Sequence, residues 1–233
     1  MADFKKLQAV AMAEVEKAAQ GGLCFNRILD NKARQLYAKM VDLLFTLAPE
    51  MMTRKIAEAN VQQGFVLDAV LRFAQRLSAP RILCVGSHED TACVSIKALD
   101  YPLTEIDPVA NYDLEAFCQL PSTKAASYDL IFSTSVIEHV QDDEKFVRQI
   151  GQLLAPGGVA VLTCDYNDAY VPDDNIPGED FRLYTQRDFY QRLLPQLPDC
   201  SLVDSPQWDC PEPDFVYHGC HYTFATLVFQ KQA

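Results

Sequence analysis

Apolar positions recur at helical spacing through the first third of the chain. Leu7, Val10, Ala11 and Val15 mark one helix, which Gly21-Gly22 ends. Leu36, Met40, Leu43, Leu44 and Leu47 stripe a second helix over 29–47, stopped by Pro49. A third piece is expected over 51–59 and a fourth over 65–77, where Leu67, Val70, Leu71, Phe73 and Ala74 are apolar. Nothing alternates with a period of two in this region. Residues 1–78 therefore read as helix throughout, and 1–79 as an N-terminal helical cap.

At Pro80 the texture changes. Short apolar runs now alternate with amphipathic segments, the pattern of βα units around a parallel sheet. Strands are expected at 81–86 (RILCVG), 103–106, 128–133 (YDLIFS) and 159–164 (VAVLTC), with a helix at 91–99. Asp142-Asp143 caps a further helix that turns Phe146, Val147, Ile150, Leu153 and Leu154 inward, and Pro156-Gly157-Gly158 stops it. A polar loop spans 165–184. Thr185 with Asp188 then opens another helix as a capping box, and strands at 201–205 and 222–229 finish the chain. The predicted class is α/β, a doubly wound sheet over 80–233 behind the cap.

Composition narrows the function. The 233 residues are 49% hydrophobic and 22% charged, enough to bury a sizeable core. A net charge of -12 opposes nucleic-acid and anionic-membrane binding, because phosphates would meet a repulsive field. The longest uncharged stretch, near 150–164, is too short and too rich in Pro and Gly to span a membrane. The first residues, MADFKK, lack the apolar block of a signal peptide, and the eight cysteines form no CxxC pair. A reducing cytoplasm is the expected compartment. There is no GxxxxGK, no Tyr with Lys four positions on and no GxSxG, which removes P-loop, short-chain dehydrogenase and serine-hydrolase chemistry.

Three features carry positive information. Gly86 ends the 81–86 strand, where glycine lets backbone approach a ligand and the next helix offers unpaired N–H groups. Asp107, followed by Pro108, ends the next strand, where a carboxylate can accept from both hydroxyls of a ribose. The third is the linked pair YDLIFSTSVIEHV (128–140) and LLAPGGVAVLTCD (153–165).

At these residues the chain resembles the class I S-adenosylmethionine (SAM)-dependent methyltransferases over about 80–230. The resemblance implies a Rossmann-like, seven-stranded sheet whose last strand, TFATLVFQK, is antiparallel, with SAM across the strand C-termini. It implies that Gly86, Ser87 and His88 line the methionine end, that Asp107 with Pro108 holds the ribose, and that Ser133 and Thr134 lie against the cofactor. Asp113 is the candidate acid on the adenine side. Three departures stand out. Cys84 replaces the usual first-strand acid, His88 and Asp90 replace later glycines of the loop, and too few residues separate Asp107 from Asp129 for a full third strand and its helices. The third strand and its helix are expected to be shortened. The helical cap and polar loops are similar to those of methyltransferases acting on sugars or glycans.

Methyl transfer to a neutral hydroxyl calls for a base, and His139 is the candidate; the alternative is that it packs in its turn and bonds backbone. Glu138 reads as cofactor-side or structural. Candidate substrate contacts are Asp165 and Tyr166 after the 159–164 strand, Arg182 and Tyr184 from the polar loop, and His218 and His221 ahead of the last strand. Cys210, His218, Cys220 and His221 invite a zinc reading, but Cys220 and His221 would diverge on a strand, so no metal is expected. The expected partner is a small-molecule or sugar/glycan acceptor, with no nucleic acid, and the cap is a candidate homodimer surface or substrate lid. The competing class is a degenerate methyltransferase fold serving as a non-catalytic binding or partner subunit.

Overall fold

A computed structural model describes residues 2–172, 175–178 and 180–233. Helices α1 (Ala2–Ala19), α2 (Asn31–Leu36), α3 (Ala38–Leu47), α4 (Pro49–Met52) and α5 (Asn60–Ala74) precede the first strand. Then come β1 (Ile82–Val85), α6 (Thr91–Ala98), β2 (Leu103–Ile106), α7 (Leu114–Gln119), β3 (Tyr128–Thr134), a 3₁₀ turn at Ile137–His139, α8 (Asp143–Leu153) and β4 (Leu154–Tyr166). A short helix α9 (Gln186–Asp188) continues through wider and tighter helical turns to Gln196, followed by β5 (Cys200–Leu202), β6 (Phe215–Tyr217) and β7 (Cys220–Lys231).

The sheet runs β2-β1-β3-β4-β7-β5, with β6 paired to β7 as a hairpin. β2, β1, β3 and β4 are mutually parallel, and β7 lies antiparallel between β4 and β5. The mixed α/β architecture and the antiparallel closing strand agree with the sequence reading. The chain leaves β1 toward β2 on one side and returns to β3 on the other. That reversal opens a crevice at the strand C-termini, where open α/β sheets take their ligands.

Each face of the sheet is covered. On one, α5 packs against β3 and β4, with α1, α3 and α6 around it; nearly every α5 residue from Asn60 to Ala74 is buried, because this helix is enclosed on all sides. α3 comes so close that a Cβ on Gly64 would lie 3.1 Å from Val41 Cγ2. The other face carries α7, α8 and the 186–197 segment, with Trp208 and Phe189 at its centre.

Several expectations need correction. The 29–47 helix is two helices that meet at Tyr37, and the expected 51–59 helix ends at Met52 before open turns. Residues 1–78 are not helical throughout: Arg27 and Ile28 bridge to Gln207 and Ala225, and the Asn26 amide pairs with Val228 backbone. Such single-residue pairings leave no periodicity to read. Among the described residues no strand lies between Asp107 and Tyr128; the expected short third strand is absent and only α7 occupies the crossover. The tail holds three strands rather than two, and β4 extends past both ends of VAVLTC: at the C-terminal end the long β7 pairs with it to Tyr166, and at the N-terminal end Leu154 pairs with Tyr128 of β3.

Candidate functional site

Two adjoining hollows, about 690 and 470 Å³, open along the C-terminal edge of the parallel strands. Both linings include Gly86, Pro108, Val136 and His139. Val136 stands over Gly86, which sits at φ +84°; a Cβ there would lie 2.3 Å from Val136 Cγ2. Glycine is required at this point on conformational and steric grounds together.

Asp107 faces the larger hollow and is held before any ligand arrives. Its Oδ2 accepts from the His88 N–H at 2.9 Å and its Oδ1 from the Val109 N–H at 2.8 Å, while its own N–H donates to Asn111 Oδ1. Each carboxylate oxygen keeps a second lone pair for a ligand hydroxyl. The residues standing where glycines were expected do not fill the cleft. The Asp90 side chain turns under the loop to cap α6, accepting from the Cys93 N–H at 2.6 Å. Glu89 adopts φ +53° and points out to Arg54 at 2.9 Å, whose guanidinium holds its carboxyl below the ordinary carboxylate range. His88 contributes backbone to Asp107 and lines the larger hollow.

Thr134 also lines the larger hollow, with its hydroxyl beside the buried Asp90 carboxylate. Ser133 is buried behind it, outside both linings, and Ser87 shapes the turn by donating its N–H to Ile106 O. Asp113 lines the smaller hollow while capping α7 through the Ala116 N–H.

His139 lies where the hollows meet. Its side chain is 44% exposed, and its Nδ1 is 3.0 Å from Oδ1 of Asp180, whose own side chain is 2% exposed. Beneath it, Glu138 Oε1 accepts from the Ser135 hydroxyl at 2.7 Å and lies 3.3 Å from the Asp165 N–H. Burial pushes the Glu138 carboxyl up; burial, and after it the Glu138 charge, pushes Asp165 well above its ordinary value. A raised carboxyl holds its proton more tightly folded than unfolded, so its stabilising contribution is complete below about pH 4 and is lost as pH rises through the raised value. Asp165→Asn imitates the protonated form. Relative to wild type it should gain stability as pH rises above about 4, the ordinary carboxylate value. Urea unfolding at several pH values measures this, and parallel curves would refute a neutral Asp165.

The expected substrate residues divide. Asp165 sits behind the cleft against Glu138 and Tyr222. Tyr166 and Tyr184 are fully buried, stacked on Phe189, with their hydroxyls donating to Trp208 O and, for Tyr184, directed at Ile137 O and Asp143. Arg182 pairs with Asp143 and donates to Gln141 O. Neither lining includes these four, whose polar groups serve the fold. His221 is exposed, its carbonyl accepting from the Asn167 amide, and His218 lies edge-on to the Tyr217 ring. Among the described residues no group of three or more His, Cys, Asp or Glu is arranged to hold a metal. Sequence reasoning did not select Lys55, Gln62, Val136 and Tyr217, which line the larger hollow, or Asp180. Val136 lay inside a noted motif, Gln62 sits on helix α5 and Tyr217 on the short strand β6, and Lys55 and Asp180 come from a turn and a loop without periodicity.

The comparisons with known proteins agree with this geometry. The methyltransferase-domain family profile matches residues 58–226. The chain belongs to that family. An S-adenosylmethionine-dependent methyltransferase named in Mycolicibacterium smegmatis is 25% identical over 173 residues, covering 74% of this chain and 59% of its own. A like-named Mycobacterium tuberculosis protein is 25% identical, with 68% and 52% covered, so the chain spans little more than half of these relatives. Two solved structures share the Rossmann-like fold. The CurJ carbon methyltransferase has TM-score 0.51 at 15% identity, covering all of this chain and 67% of that one. The cyclase SpnF has TM-score 0.50 at 14% identity, covering 86% and 97%.

Proposed function

We propose that this chain is a SAM-dependent methyltransferase that delivers the methyl group to a hydroxyl of a small molecule, a sugar or a glycan-linked acceptor. The observation that carries the reading is the prearranged Asp107 carboxylate beside Gly86, at the mouth of a cleft with room for a nucleoside. In this reading Asp107 accepts from the ribose hydroxyls, Gly86 and His88 border the methionine end, and Thr134 offers its hydroxyl to the cofactor. Asp113 and the smaller hollow take the adenine. Bound SAM would supply a methyl group on a sulfonium.

Positioning is the main task left to the protein, since aligned reactants can contribute roughly 7–11 kcal/mol. His139, where the two hollows meet, takes the hydroxyl proton of the acceptor and passes it to solvent through its exposed edge. Oxygen acceptors are favoured over carbon by this imidazole, which a neutral hydroxyl needs. The larger hollow offers sugar-like acceptors polar groups from Asn60, Gln62 and Gln63 and an aromatic face from Tyr217. Among the described residues no helix is long and apolar enough to cross a membrane, and the eight unbridged cysteines support a reducing, cytoplasmic setting.

S-adenosylhomocysteine at one hundred times its dissociation constant should stabilise the fold by about 2.7 kcal/mol, where NAD does nothing. Thermal melts read this directly. Incubation with SAM and candidate sugars should then give a methylated product by mass spectrometry. No melting shift with either SAM or its homocysteine product would overturn the reading.

A further inference from the structure

We propose that Asp90, in the turn after β1, is a specificity-determining residue that makes the larger hollow prefer a cation, and so the sulfonium of SAM over the neutral thioether left by methyl transfer. The inference rests on the reading of the cleft as a SAM site. Asp90 is 2% exposed, yet it belongs to the lining of the larger hollow with Gly86, Asp107 and Thr134. Its close partners are neutral. Oδ1 accepts from the Cys93 N–H at 2.6 Å, and the Thr134 hydroxyl and the Gln63 amide stand beside the carboxylate. Gln63 Oε1 already accepts from the Ala92 N–H at 2.8 Å, which leaves its amide nitrogen as the end that can donate. Among the described residues Asp90 forms no ion pair; Lys55, whose charge reaches it, stands 3.7 Å from Glu89 instead.

A buried carboxylate surrounded by dipoles alone is costly, and a cation brought near it offsets part of that cost. Sheet order puts the charge in a useful place. β2, β1 and β3 are parallel neighbours, so the ends that carry Asp107, the Asp90 turn and Thr134 stand side by side. In SAM a single methylene joins the sulfonium to the ribose, whereas the ammonium lies at the far end of the methionine chain. The sulfonium is therefore the cationic centre tied closest to the group that Asp107 is proposed to hold. When the methyl group bonds to the acceptor oxygen, the electron pair of the broken S–C bond stays on sulfur and the positive charge is gone. Asp90 then has no sulfonium to attract, and the product is held less tightly than the substrate. This gives a use to an acid that stands where the loop was expected to carry glycine.

The test uses Asp90→Asn and Asp90→Ser, which remove the charge while each keeps a side chain that caps α6. Calorimetry at about pH 8, well above the ordinary carboxylate value, measures binding of SAM, S-adenosylhomocysteine and 5′-methylthioadenosine, the last carrying neither sulfonium nor ammonium. SAM affinity should fall about tenfold in both variants, with the other two ligands within about twofold of wild type. An unchanged ratio of SAM to S-adenosylhomocysteine affinity would overturn the proposal. So would an equal loss for all three ligands, which would make Asp90 a support of the loop. An equal loss for SAM and S-adenosylhomocysteine, with 5′-methylthioadenosine spared, would move the contact to the ammonium and overturn the sulfonium assignment. If neither variant melts cooperatively, Asp90 is a folding residue and the proposal falls. A wild type that binds none of the three overturns the cofactor reading and the proposal with it. A wild type that binds all three, with the ratio unmoved in the variants, leaves that reading standing and removes Asp90 alone.

Discussion

Asp107→Ala should weaken S-adenosylhomocysteine binding by about a hundredfold, as measured by calorimetry. The proposed ribose contact is two hydrogen bonds to a charged acceptor, each worth roughly 1.5–3 kcal/mol; losing about 3 kcal/mol in total corresponds to two decades in Kd. The carboxylate also organises the loop, since the His88 and Val109 N–H groups both donate to it, and alanine would leave both without that acceptor. Asp107→Asn separates charge from shape. It retains one acceptor oxygen but turns an amide donor toward one of those N–H groups, so it should bind nearly as weakly as alanine. Both variants should keep a cooperative melt, because the residue lies at a strand end and α6 carries its own cap at Asp90. Unchanged affinity in either would remove the ribose assignment.

His139→Ala should lower turnover by about 10² to 10⁴, the usual worth of a positioned general base. Its cofactor affinity should stay within a few-fold of wild type, because the carboxylate and glycine proposed to hold the cofactor directly follow β2 and β1. The substitution also leaves the buried Asp180 carboxylate without its imidazole, so some loss of stability is expected alongside. His139→Gln keeps a polar group in place and distinguishes the effects. If glutamine restores the melting temperature without restoring turnover, the imidazole acts in chemistry. Full turnover in either variant would make His139 a packing residue of its turn.

The structure brings only some of the expected site residues to the cleft, and the reasons differ by residue. Gly86 and Asp107 were legible because each directly follows a short expected strand, and the end of a parallel strand falls at one edge of the sheet whatever the rest of the chain does. His139 was legible as part of a strand–turn–helix signature. Tyr166, Arg182 and Tyr184 carry the polar groups that a substrate anchor needs, yet those groups are satisfied inward by Trp208, Gln141 and Asp143. A sequence shows that a hydroxyl or guanidinium exists; it does not show which acceptor the fold brings to it. Asp180 was passed over for the converse reason. It sits in a loop without periodicity, and its contact with His139 spans some forty residues of chain.

By itself, the sequence determined the alternation of strands and amphipathic helices, the caps at Asp142 and Thr185, and the carboxylate and glycine at the C-terminal edge of the sheet. These are local: period, propensity and strand ends depend on neighbours a few residues away. Only the tertiary structure decided that the crossover after Asp107 makes no strand, that Asn26–Leu29 joins the sheet, that α5 is enclosed rather than amphipathic, and that a loop aspartate meets the histidine. Each of these depends on which distant backbone and side-chain groups come together once the two faces of the sheet are covered, and no periodicity records that.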